Sequence, residues 1–174
     1  MTPTTTSKAV NAILYQIGWF MCMSPVNEVL SLLFAASTYL VFCIMIQWKP
    51  RVILFTLASA LLGYGADRLC ELSGIIDLSP HGDSTLYLIA LWLMFVTTFE
   101  FSLNFIFTKW YLATGMGALA PIAYYAGEKL GKVAYTQDLK YAVPLHASSW
   151  VIVTTTIYLV KTHVRLNNRE QHIP

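Results

Sequence analysis

Between Leu86 and Phe107 the chain carries a run of apolar and uncharged polar residues with one ionised exception, Glu100. About 22 residues at roughly 1.5 Å each match the ~30 Å hydrocarbon layer of a bilayer, so the run reads as a membrane-spanning helix. Glu100 is then an acid in lipid. A central carboxylate costs about 2.5–3.5 kcal/mol there, so it is expected to face other helices, and the adjacent sequence offers no counter-charge.

Apolar mass extends along the whole chain: 56% of residues are hydrophobic and 11% charged, against roughly 25% charged in an average soluble domain. A single integral-membrane domain over residues 1–174 follows. The expected fold class is all-α, a polytopic bundle with spans near 9–23, 29–46, 52–70, 86–107, 111–127 and 142–160. The first segment follows Lys8, but it contains Asn11 and Gln16 and ends without the small residues of a cleavage site, so it reads as a retained span. Turn formers and charges mark the connections, including Ser24-Pro25-Val26, Lys49-Pro50-Arg51, Pro80 to Asp83, and Glu128 to Tyr141.

Orientation follows from charge. With the N-terminus inside, Lys8, Lys49, Arg51, Lys109, Lys161, Arg165 and Arg169 fall on the cytoplasmic side, seven of the eleven basic residues. Seven of the nine acids, Asp67 and Glu128 among them, fall outside, so both termini are expected to be cytoplasmic. The net charge of +2 is small and scattered, and no nucleic-acid signature accompanies it. Cys22 and Cys70 both approach the outer surface, so a disulfide is one reading and packed thiols the other.

Several constellations carry chemistry. Glu100 shares a helix face with Thr97 and Asn104, and at its depth the first span offers Asn11 and Tyr15. A cluster of Asn11, Glu100 and Asn104 would support one carboxyl with amides, as a proton carrier or general acid/base. The plainer reading is interhelical hydrogen bonding. On the third span Gly63, Asp67 and Glu71 lie at i, i+4 and i+8, with Arg68 in reach of Glu71, which suits a polar ligand or a local salt bridge. Depth arithmetic puts Asp67 and Glu100 near opposite faces, so they are not expected to pair. On the fifth span Pro121 frees a carbonyl at residue 117, and a kink there would carry Tyr124 and Tyr125 toward a pocket. Asp67, Pro121, Tyr124 and Tyr125 are the candidate substrate-binding residues. His146 lies at the depth of the outer acids, but no ligand spacing points to a metal, and no nucleophile elbow, phosphate loop or cofactor motif is present.

Four segments then resemble one family in combination: NAILYQIGWF at 11–20, GYGAD at 63–67, LWLMF at 91–95 followed by Ser102-Leu103, and GALAPIAYYAG at 117–127. Together they look like the bacterial membrane-protein family catalogued as domain of unknown function 2878, over roughly residues 9–160. The resemblance implies a compact helical inner-membrane protein of Gram-negative bacteria without an assigned reaction, found alongside lipid-modifying enzymes. Where the family pattern has a polar pair before Ser-Leu, this chain has Glu100-Phe101, so no imidazole chemistry carries over to that point. Three functional classes follow. The leading one is a protein that binds or modifies a membrane lipid in an intramembrane polar pocket; the others are a small proton-coupled carrier or channel and a structural assembly subunit.

Overall fold

A computed structural model describes residues 3–24, 27–82 and 85–170, with side chains as far as His163. Pro25, Val26 and Asp83 of the expected loops, and the side chains of Arg165 and Arg169, lie outside the described residues. The helices are α1 (Thr5–Met23), α2 (Glu28–Met45), α3 (Pro50–Leu72), α4 (Leu86–Phe95), α5 (Trp110–Leu119), α6 (Pro121–Lys129) and α7 (Leu139–Glu170). Local chemistry sets their starts. Thr4 caps α1 by accepting from the Ser7 amide, Asn27 caps α2 by accepting from Val29, and Pro50 opens α3 where its missing N–H costs nothing. α3 stops at Gly74, whose positive φ of 64° closes the helix end while the Ile75 amide donates to the Cys70 carbonyl at 3.0 Å.

Much of the apolar helix surface points outward. On α3 the buried stripe is Phe55, Thr56, Ser59, Gly63, Asp67 and Cys70, mostly small or polar, whereas Leu54, Leu61 and Leu72 are 70%, 73% and 78% exposed. A soluble helix has the reverse pattern, since each leucine left in water forgoes about 1.5–3 kcal/mol. This surface suits hydrocarbon as solvent. α2, α3 and the Leu139–His163 part of α7 are each long and apolar enough to cross a membrane.

The fourth segment departs from the straight 22-residue helix its composition suggests. α4 ends after ten residues and continues as a 3-10 turn at Val96–Phe99, a run of turns from Glu100 to Phe105 and a second 3-10 turn at Ile106–Thr108. The Thr97 hydroxyl donates to the Met94 carbonyl at 2.7 Å and that of Thr98 to Phe95 at 2.6 Å. Both compete with the backbone for the acceptors a continuing α-helix would use. The fifth segment is likewise two helices, α5 and α6, meeting at Ala120. The Gly117 carbonyl that Pro121 releases is taken by the Ala120 amide at 3.2 Å.

α4 is the central element, packed on α1, α2 and α3, while α5 lies along α7. Glycines set these distances. A Cβ on Gly63 would fall inside the Trp92 ring, and one on Gly117 would lie 2.7 Å from the Trp150 carbonyl oxygen. The second obstacle is backbone, so Gly117→Ala has to force α5 and α7 apart. It is expected to cost about 1–3 kcal/mol, read as a lower unfolding midpoint in detergent, and an unchanged midpoint would refute the close contact.

At the end where α3 leaves the bundle, the polar Glu128–Tyr141 stretch supplies half of a two-stranded antiparallel sheet. In it β1 (Ile76–Asp77) pairs with β2 (Ala134–Tyr135), Ile76 opposite Tyr135. Two acids clip it to the helices. Glu71 accepts from the Leu78 amide and Glu128 from the Tyr135 amide, each at 3.2 Å, and Arg68 pairs with Glu71. All three cysteines are buried and free, so Cys22 and Cys70 are not bridged.

Candidate functional site: a buried carboxyl beside an aromatic cavity

Asp67 sits on the inner face of α3 and is 1% exposed. Its Oδ2 accepts from the Trp92 indole N–H of α4 at 2.7 Å, and its Oδ1 accepts from the Tyr124 hydroxyl of α6 at 2.5 Å. Gly63, one turn below Asp67, provides the hole into which the Trp92 ring inserts. Trp92 also stacks on Trp150 of α7, with ring centroids 5.1 Å apart and planes 17° from parallel. Three helices are thereby tied to one carboxyl.

The network continues toward the sheet. Tyr124 meets His146 edge to face at 4.3 Å, and His146 Nδ1 lies 3.1 Å from the Tyr135 hydroxyl. The Tyr135 hydroxyl also reaches the Pro121 carbonyl at 3.5 Å. Burial, with Glu128 next in weight, pushes the Tyr135 phenol up to about 12, so it keeps its proton at neutral pH. His146 Nε2 is buried and has no hydrogen-bond partner among the described residues.

Beside this network opens a cavity of about 290 Å³, lined by Tyr15, Trp19, Trp92, Phe95, Tyr124 and Trp150 together with leucine, isoleucine, methionine and alanine side chains. Among the described residues no charged side chain lines it. Tyr124 and Trp92 thus have one surface on the cavity and a polar atom on Asp67.

The expected cluster at Glu100 is divided between two neighbouring networks. Asn11 donates to Thr97 Oγ1 at 2.8 Å and accepts from the Ser102 hydroxyl at 2.7 Å, which fastens α1 to both sides of the break after α4. Glu100 and Asn104 meet instead on Lys161 of α7. Its ammonium lies 2.7 Å from Glu100 Oε1 and 3.0 Å from Asn104 Oδ1, and it also donates to the Phe99 carbonyl. The counter-charge absent from the adjacent sequence therefore comes from the last helix, and Lys161 is buried in the bundle rather than lying at a solvated cytoplasmic edge.

The substrate-binding candidates separate in the same way. Asp67 and Tyr124 are joined, and the Pro121 carbonyl connects to them through Tyr135 and His146. Tyr125 is 43% exposed, with the Lys129 ammonium 4.8 Å from its ring centre. Among the described residues no three His, Cys, Asp or Glu side chains converge as a metal site. Sequence reasoning gave no site role to Trp92, Trp150, Tyr135 or Lys161. Only Lys161 left a signal there, as a lone cation ending the apolar stretch of the last span.

No curated protein and no solved structure matches the chain. A family does: on a match spanning residues 8–156, the chain belongs to the family described as Protein of unknown function (DUF2878).

Proposed function

We propose that this chain is a multi-pass protein of a bacterial inner membrane that binds a lipid by its hydrocarbon chain within the bilayer. In this reading the passes are α1, α2, α3, α4 with its 3-10 extension, α5 with α6, and α7. Both termini lie on the cytoplasmic face, where Lys8, Lys49, Arg51 and Lys109 gather. The observation that carries the reading is the uncharged aromatic cavity backed by the Asp67 carboxyl. At about 290 Å³ it is close to the lower bound, ~300 Å³, of small-molecule sites, and its lining suits methylene groups. The Tyr124 and Trp92 rings supply flat walls fixed by their bonds to Asp67, so the pocket is preformed. This keeps Asp67 and Tyr124 of the four substrate-binding candidates and leaves the Glu100 cluster outside the chain site.

The test is photolabelling of the purified protein with a diazirine fatty acid, against an Ala120→Trp variant that fills the cavity. Label is expected on peptides of α4 and α5 and should fall about tenfold in the variant, a change of ~1.4 kcal/mol in binding. Undiminished labelling of a variant that melts like the wild type would remove the proposal.

A further inference from the structure

A second cavity, of about 280 Å³, lies at the opposite end of the bundle, where α1 begins, α2 ends and α3 begins. Its walls include Thr4, Ser7, Gln47, Lys49, Glu100 and Phe101. Among the described residues Lys49 and Glu100 are its charged lining residues, and they have opposite signs. Neither is spent on the other. Lys49 has no ion pair among the described residues, and Glu100 gives Oε1 to Lys161 while its second oxygen has no hydrogen bond there. The Glu100 side chain keeps 23% of its surface exposed.

The ends of two long helices add to this. α1 and α3 both begin at the cavity, with their positive dipole ends toward it, and α3 begins with no side-chain cap on its amides. Trp48, next to Lys49, is 56% exposed and marks the headgroup layer, where indoles concentrate. Lys8 and Arg51 flank the same end, in a zone that attracts phosphate.

We propose that this cavity is a headgroup site for an aminoalkyl phosphate, with the phosphate at Lys49 and the helix starts and the amine at Glu100. Lys161 already balances Glu100 on one oxygen, but an anionic group would leave the other without a donor, and a cationic one would face Lys49. A zwitterion answers both. The open Glu100 oxygen also selects among zwitterions, because a primary ammonium donates hydrogen bonds to it and a quaternary one has none to give. The inference rests on a different cavity from the proposed chain site and does not depend on it.

The experiment is native mass spectrometry of the purified chain titrated with short-chain phospholipids bearing ethanolamine, choline or glycerol headgroups. Ethanolamine lipid should be retained about tenfold better than either of the others, equivalent to ~1.4 kcal/mol. Ser7→Trp fills the cavity and should abolish the preference, and Lys49→Glu should lower ethanolamine-lipid retention. Ala120→Trp, which closes the aromatic cavity, should leave the preference intact. Free phosphoethanolamine forms a further arm: competition with the lipid supports the site and names a soluble ligand, while lipid binding without competition supports it with a lipid as the ligand. Equal retention of glycerol and ethanolamine lipids would overturn the proposal, and so would a preference that survives Ser7→Trp.

Discussion

Lys161→Met is expected to destabilise the fold by about 3 kcal/mol, the lower end of the cost of breaking a buried ion pair. The lower end applies because the Lys161 side chain is 4% exposed but Glu100 keeps 23%. Among the described residues the ammonium meets Phe99 O, Asn104 Oδ1 and Glu100 Oε1, so its loss strands several buried acceptors at once. Methionine preserves much of the stem's packing beside Phe55 and Phe107, which restricts the change mainly to the charge. The variant leaves an acid without its cation and a carbonyl, freed by the break after α4, without its donor.

Lys161→Met combined with Glu100→Leu removes the stranded acid and should recover part of the loss. Unfolding midpoints of the wild type, both single variants and the double variant form a cycle. A drop of roughly 10 °C is expected for Lys161→Met, with a smaller drop for the double variant. Additive effects across the cycle would mean that the pair contributes nothing and that the broken segment is held by other contacts.

The helices were legible because apolar run length reports on them directly: α2 and α3 begin and end within about two residues of their expected bounds. The break after Phe95 was not. Leu86 to Phe107 reads as one apolar span, and the interruption depends on the Thr97 and Thr98 hydroxyls together with Asn11 and Lys161, which arrive from distant helices. Lys161 was misplaced because the charge rule treats every lysine near a span end as solvated. Helical spacing did put Gly63 and Asp67 on one face, and both are buried there. The reason they share it, a tryptophan ring that occupies the space over the glycine to reach the carboxyl, depends on α4 and leaves no mark in α3. Glu71 and Glu128, read as outer acids, are fasteners for a two-stranded sheet that no strand-like pattern announced.

Asp67→Leu is expected to cost about 2–6 kcal/mol, while Asp67→Asn should stay within about 1 kcal/mol of the wild type. Leucine has similar bulk but accepts no hydrogen bond. It strands the Trp92 N–H and the Tyr124 hydroxyl in a site that is sealed from water, at about 1–3 kcal/mol for each unsatisfied donor. Asparagine retains an oxygen for the Trp92 N–H and turns its amide toward Tyr124, whose hydroxyl can accept as well as donate. Two readouts separate a local effect from general loosening. The unfolding midpoint follows stability, and the near-ultraviolet circular dichroism of the stacked Trp92–Trp150 pair follows the geometry that Asp67 holds. The leucine variant should lose much of the tryptophan signal and, with the cavity wall released, the fatty-acid labelling as well; the asparagine variant should keep both. If leucine matches the wild type in midpoint and dichroism, Asp67 does not anchor the aromatic wall, and the lipid site has to be sought where some other group fixes those rings.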